Sequence, residues 1–373
     1  MNKLLERIYT LPNTSGRFAA MEGLRAYAAL LIFLVHYFDA FSRSQFGIDL
    51  NTQVITSVHD PLNGLVFYLF ASHYGVDIFF FLSGFLICRI IARSGFSYVS
   101  FVKARLLRVY PTFLVSFLLW LYVRIVLQNS PFEVSQFLGN LLFLNAVPAT
   151  GVRPYNAVTW SLFYEFVFYL SFPLILFFQT DTGRIRPMQV LVFGIVFTIA
   201  AVSLAPSFIR FTMFFGGALM ACIPRRQLTA IASRIPDAIV LLVYSGSTLW
   251  FANQLSYTHF IPVFVVTTFL LVLKILYGDG FLNRLFRVKW LRYLGNMSYS
   301  FYLMHGLALE IIMVNLSPRF SGMGKLMFLA TTFSAALLLG VVLSTILFLL
   351  TEKPYFSRKR CRAQVRDEVP ALS

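Results

Sequence analysis

Residues 326–350 read LMFLATTFSAALLLGVVLSTILFLL, an unbroken apolar stretch without one charged side chain. As an α-helix rising 1.5 Å per residue it is about 37 Å long, enough to cross the roughly 30 Å hydrocarbon core of a bilayer. In lipid such a helix satisfies its own backbone hydrogen bonds, whereas in water it would need cover on every side. Nine further predominantly apolar stretches precede it, at 24–41, 65–87, 109–127, 160–178, 190–204, 211–223, 238–251, 260–277 and 294–314. All ten together make up about half of a 373-residue chain that is 58% hydrophobic and only 12% charged, outside the usage of soluble globular domains. The fold class expected is all-α: a polytopic membrane protein of about ten transmembrane helices.

The formal charge is +16, with 31 Lys and Arg against 15 Asp and Glu. In a soluble protein that balance would suggest nucleic acid, but here the cations fall in short clusters between apolar stretches. Lys3, Arg7 and Arg17 precede the first stretch; Arg89, Arg93, Lys103, Arg105 and Arg108 follow the second. Arg184 and Arg186 follow the fourth, Arg225, Arg226 and Arg234 the sixth, and Arg284, Arg287, Lys289 and Arg292 the eighth. Lys353, Arg358, Lys359, Arg360 and Arg362 follow the tenth, while the loops at 46–60, 129–148 and 254–259 are poor in positive charge. Lys and Arg collect in cytoplasmic loops, so every second connection is cytoplasmic and both termini lie inside. Membrane lipid, not nucleic acid, is the expected surrounding.

Residues 1–17 are polar and basic, without the short apolar stretch of a cleavable signal, so the first apolar stretch is expected to stay as a helix. Cys88, Cys222 and Cys361 fall at cytoplasmic ends or in the tail, where thiols stay reduced, so neither a disulfide nor a metal cluster is expected. The segment 131–148 is amphipathic and reads as a short helix on the outer surface. Without a repeat or a second soluble domain, residues 1–373 read as one transmembrane domain, with 1–20 and 351–373 as cytoplasmic segments.

Ionisable side chains inside apolar spans are costly and point to function. They are His36, His73, Asp77, Glu165, His305 and, near a helix end, Glu310, with Arg25 at the inner end of the first span. For each, the alternative is a hydrogen bond that merely joins helices. Arg25 and His36 are eleven residues apart, which puts them on one helix face about 16 Å apart. Glu165 shares a face with Ser161 and Tyr169, and Ser298, Tyr302 and His305 follow i, i+4, i+7 spacing. Several spans thus bring polar groups to compatible depths, as a buried catalytic chamber requires; a proton relay in a transporter of sugar or lipid is the rival reading. Lys103, Arg105 and Arg108 suit either a grip on phosphates or a topology signal.

Six segments, in order along the chain, resemble the acyltransferase-3 family of membrane proteins that acylate bacterial surface carbohydrates. They are Glu22-Gly23-Leu24-Arg25 running to His36, the stretch from Gly75-Val76-Asp77 to Ile87, and Arg105-Leu106-Leu107-Arg108-Val109-Tyr110-Pro111. Then come Trp160-Ser161-Leu162-Phe163-Tyr164-Glu165, the stretch from Leu294-Gly295-Asn296 through Tyr302 to His305, and Glu352-Lys353-Pro354. The resemblance implies a bacterial inner-membrane enzyme that moves an acyl group, acetyl by default, from cytoplasmic acyl-CoA to a hydroxyl of an exopolysaccharide, O-antigen or lipid-linked oligosaccharide. It implies that Arg25 and His36 are essential, with His36 catalytic, that Arg105 and Arg108, with Lys103 beside them, hold the donor, and that the Trp160–Glu165 motif is required. Acyl-CoA would be a donor substrate rather than a resident cofactor. Two departures are Glu22, where Asp is commoner, and Phe163-Tyr164, where smaller or polar residues are frequent. Longer relatives append a periplasmic hydrolase-like domain; with about twenty residues after the last span, none is expected fused here.

Moving an acyl group from thioester to hydroxyl needs a base for the nucleophile and support for the oxyanion. An imidazole can accept a proton near neutral pH, which fits His36. Glu165 is expected to orient that imidazole or contact the sugar, and Arg25 to hold pantetheine or phosphate or to polarise the thioester. Asp77, Trp160, Ser161, Tyr302 and His305 are expected to support them.

Overall fold

The computed structural model describes residues 2–11, 19–47, 74–178, 185–252, 257–316, 319 and 322–357, and among them there is no strand. His73, Arg184, Cys361 and the basic residues 358–362 lie outside the described residues. The chain is an all-α polytopic membrane protein. Where they are described, all ten apolar stretches lie largely on helix. By length and apolarity alone, five described helices can cross a bilayer, or seven if each of two sharply bent pairs makes one crossing.

The first half of the chain contains α1 (Asn2–Tyr9), α2 (Ala19–Phe46), α3 (Gly75–Ile91), α4 (Tyr98–Tyr122), α5 (Val134–Leu141), α6 (Trp160–Ser171) and α7 (Pro187–Val202). The second contains α8 (Phe211–Cys222), α9 (Arg225–Arg234), α10 (Asp237–Ala252), α11 (Tyr257–Tyr277), α12 (Phe281–Phe286), α13 (Lys289–Asn296), α14 (Ser298–Glu310) and α15 (Lys325–Leu347). The amphipathic segment at 131–148 does form a short helix, α5. At 16 or 17 described residues, α3, α7 and α10 are at the short limit for a crossing.

Burial separates the centre from the rim. In α2 67% of the most apolar window is covered by protein, against 28% in the long helix Lys325–Ser357. Rim helices turn bare apolar side chains outward, such as Leu118 and Tyr122 of α4, Val196 and Ile199 of α7, and Leu338 and Val342 of α15. That is the expected surface of a protein dissolved in lipid. Around α2 pack α3, α12, α13 and α14, which makes it the axis on which the site is built.

Close helix contacts use glycine. A β-carbon on Gly84 of α3 would lie 1.9 Å from the carbonyl oxygen of Phe214 on α8, and one on Gly217 of α8 would lie 1.9 Å from that of Phe81. The two helices therefore touch backbone to backbone, the small-residue packing that lipid favours. Cys88 and Cys222 meet near the end of the same interface, with free thiols 3.7 Å apart.

Two expectations need correction. The stretch 294–314 is not one helix: α13 and α14 meet at an 80° bend around Met297. The buried first turn of α14 is capped from far along the chain, because Ser300 donates its backbone N–H and its hydroxyl to Glu352 at 3.0 and 2.5 Å. Meanwhile α13 lays Leu291 and Leu294 inward and Lys289 and Trp290 outward, the habit of a helix lying in the interface. The stretch 109–127 also starts too late. Its helix begins at Tyr98, capped by Ser97, so Lys103, Arg105 and Arg108 stand on α4 rather than in a loop.

The described ends of the chain sit side by side: Lys353 donates to the carbonyls of Arg7 and Ile8 at 2.5 and 3.0 Å. Nearby Lys289 meets Glu6 and Arg292 meets Glu22, each at 2.8 Å. Several of the basic clusters thus gather at one end of the bundle.

Candidate active site

Helix α2 carries Arg25 near its basic end and His36 three turns further on, and four cavities follow one another along it. Cavity I opens at the basic end and is lined by Arg25, Arg89, Arg93 and Arg108 with Glu22 and Glu352. Cavity II shares Arg25, Leu86 and Arg108 with it and adds Arg105, Glu165 and Tyr169. Cavity III contains His36, Trp160, Tyr164 and Arg210. Cavity IV lies beyond and contains His36, His305, Arg124 and Glu310.

The two guanidinium groups expected to hold the donor lie in different settings. Arg105 stacks over Phe101 and Tyr169, 5.3 and 5.7 Å from the ring centres, which lodges it against apolar and aromatic surface. Arg108 reaches both cavities I and II and lies 5.6 Å from the Phe356 ring. Lys103 is exposed and lines neither of them. Arg25 donates from Nε to the Ser298 hydroxyl at 3.1 Å, which ties α2 to the first turn of α14.

Glu165 stands on α6 in cavity II. It accepts a hydrogen bond from the Tyr169 hydroxyl at 2.5 Å and one from Ser83 at 3.4 Å. Among the described residues no hydrogen bond joins it to His36, which lines cavities III and IV instead. The arrangement in which Glu165 orients the imidazole is therefore not formed. The ring beside His36 is that of His305, with centres 5.3 Å apart. His305 is fully buried, its Nδ1 lies 3.1 Å from the Phe301 carbonyl, and its Nε2 is enclosed without a hydrogen-bond partner. A proton on Nδ1 satisfies that carbonyl and leaves a lone pair on Nε2.

Between cavities II and III stands Tyr302, which lines both together with Val76. Its hydroxyl donates to the Val158 carbonyl and lies 2.7 Å from the Ser161 hydroxyl. Trp160 faces cavity III and Ser161 cavity II, so successive residues of one helix serve the two sides of this partition.

Asp77 lines none of these cavities and is wholly buried behind the partition, where its carboxylate accepts from Arg210 at 2.8 Å. Arg210 projects into cavity III, with its guanidinium 5.2 Å from the Trp160 ring. Sequence reading missed this residue, which immediately precedes the apolar stretch 211–223. A signal was present, since a carboxylate set in a span calls for a cation on a neighbouring span. Glu310 lines cavity IV and accepts from Gln128 at 2.7 Å.

A family model described as an acyltransferase domain, of the acyltransferase-3 type, matches residues 18–351, which include Arg25, His36, Arg105, Arg108, Glu165, Tyr302 and His305. "Acyltransferase MdmB" of Streptomyces mycarofaciens is 31% identical over 171 residues, 44% of this chain and 40% of that protein. The chain thus aligns with less than half the length of this curated relative. No solved structure matches. With the family model extending over most of its length, the chain belongs to the acyltransferase-3 family of membrane acyltransferases.

Proposed function

We propose that the protein transfers an acyl group from acyl-CoA, entering from the cytoplasmic basic end, to a carbohydrate hydroxyl in cavity III, with His36 as general base. The observation that carries this reading is the run of cavities along α2, from a four-arginine mouth past Tyr302 to His36. The eleven-residue step from Arg25 to His36 is about 16 Å of helix, comparable to an extended pantetheine arm. Arg25 and Arg108 then meet the pyrophosphate, and Arg105 lies beside the arm. This choice removes Arg25 from the carbonyl, which lies three turns away.

At the junction the acceptor hydroxyl gives its proton to an imidazole nitrogen of His36 while its oxygen attacks the thioester carbon. The carbonyl π electrons move to oxygen, and Arg210, the cation of cavity III, stabilises the oxyanion. Collapse re-forms the carbonyl and breaks the carbon–sulfur bond, and the imidazolium returns its proton to the leaving thiolate. His305 positions His36 by packing against it. Trp160 and Tyr164 offer aromatic surface to a sugar ring, and Tyr302 with Ser161 divides donor from acceptor.

The setting we infer is a bacterial inner membrane with both chain ends inside, and the acceptor an exopolysaccharide, O-antigen or lipid-linked oligosaccharide. The test is turnover by purified protein in lipid nanodiscs given acyl-labelled CoA and isolated surface glycan. The expected result is label in ester linkage on the glycan with stoichiometric release of free CoA thiol. Proton-coupled movement of sugar without thiol release would point instead to a transporter.

A further inference from the structure

Two arginines of the mouth have no part in the mechanism so far. Arg89 and Arg93 are one helical turn apart, across the end of α3, and line cavity I. Together with Arg225, the first residue of α9, they also line a fifth cavity, against Tyr277 and Phe85. No Asp or Glu is among its lining residues. In cavity I the two carboxylates are engaged elsewhere, Glu22 by Arg292 and Glu352 by Ser300.

Three guanidinium groups around one open hollow repel one another unless an anion joins them, and their planar forks suit the oxygens of a phosphate. Their place relative to the donor follows from the ruler on α2, and so rests on the proposed acyl-CoA donor. With the thioester near His36 and the pyrophosphate at Arg25 and Arg108, the rest of the molecule must lie outside that level. What remains is adenosine with its 3′-phosphate, a dianion at the far end. The fifth cavity adjoins cavity I through Met21, Arg89 and Arg93, on the side away from cavity II.

We propose that Arg89, Arg93 and Arg225 form a subsite for the 3′-phosphate of the donor's nucleotide, distinct from the pyrophosphate grip of Arg25 and Arg108. The site distinguishes coenzyme A from carriers that present the same pantetheine arm without that phosphate. A phosphomonoester lipid headgroup has the same chemistry, so the test is arranged to separate the two.

The test compares acyl-CoA with its 3′-dephospho form as donors for the wild-type protein in nanodiscs of phosphatidylcholine alone. The expected result is a KM roughly ten- to hundred-fold higher for the dephospho donor, the range for losing hydrogen bonds between charged groups, with kcat little changed. In the triple variant Arg89→Gln, Arg93→Gln, Arg225→Gln the KM for acyl-CoA should rise to the dephospho value, while the dephospho donor itself is unaffected. The triple Lys variant keeps the topology-setting charges but loses the forks, and should fall between. Equal KM values for the two donors in the wild-type protein would overturn the subsite, and so would a rise for both donors alike in either variant. Discrimination that appears only when phosphatidate is added to the discs would assign the cluster to lipid and overturn it too. Turnover of neither donor would instead refute the acyl-CoA reading, a failure distinct from loss of discrimination between two working donors.

Discussion

His36→Ala is expected to abolish measurable acyl transfer while the protein still inserts in the membrane and binds CoA. Removing a general base costs roughly 10²–10⁴-fold in rate, and here the same imidazole also returns the proton to the leaving thiolate. The fold should tolerate the change, because His36 is half-buried, borders two cavities and makes no hydrogen bond among the described residues. Its ring neighbour His305 keeps its own contact with the Phe301 carbonyl. Calorimetric CoA binding within about threefold of wild type, beside a lost turnover, is the expected pattern; about threefold is well under 1 kcal/mol. Full turnover in the variant would remove His36 from the chemistry. CoA binding lost together with turnover would place His36 in the donor site instead.

The second large effect is expected at the pair of Asp77 and Arg210. Removing Arg210 alone leaves a carboxylate buried without its cation, a loss of about 3–5 kcal/mol by the experience of buried pairs. It also removes the group assigned to the oxyanion, whose loss lowers kcat by roughly 10²–10³. These two costs separate in a double-mutant cycle of Asp77→Asn, Arg210→Gln and both together. Thermal unfolding should show the single Arg210→Gln protein well below wild type and the double variant largely restored, since the uncompensated charge is gone. Turnover should stay low in Arg210→Gln and in the double variant alike. If the double variant regained turnover along with stability, the pair would be architectural and the oxyanion would need another partner.

Much of the fold was legible because lipid imposes a simple rule: apolar stretches of sufficient length, separated by alternating basic clusters, must be helices. What escaped was set by contacts distant in sequence. The stretch 294–314 has no local stop at Met297; the bend is stabilised by Glu352, more than fifty residues on, and by Asn296, which donates to the Tyr9 carbonyl at 2.9 Å. The early start of α4 was hidden because Lys103, Arg105 and Arg108 were read as loop charges, although Ser97 is a good cap residue.

Once α4 is helical, Lys103 stands about 200° from Arg105 around the axis, while Arg105 and Arg108 are only about 60° apart. That spacing explains why the two arginines share cavity II and the lysine does not. The same periodicity puts Arg25 and His36 on one face of α2, where they line successive cavities. It gave no partner for Glu165, because Ser83 belongs to another helix and Tyr169 was noted only as sharing its face. Arg210 escaped for a different reason: a cation at the edge of a short apolar stretch looks like a topology charge until Asp77 is seen behind it.

In the proposed reaction donor and acceptor meet across Tyr302 at His36. A cryo-electron microscopy structure of the protein in nanodiscs with a non-cleavable thioether analogue of acyl-CoA tests it most directly. The pyrophosphate is expected at Arg25 and Arg108, the arm running through cavity II, and the sulfur at the Tyr302 partition within reach of His36. An analogue whose arm ended below the partition, or lay outside the run of cavities along α2, would contradict it.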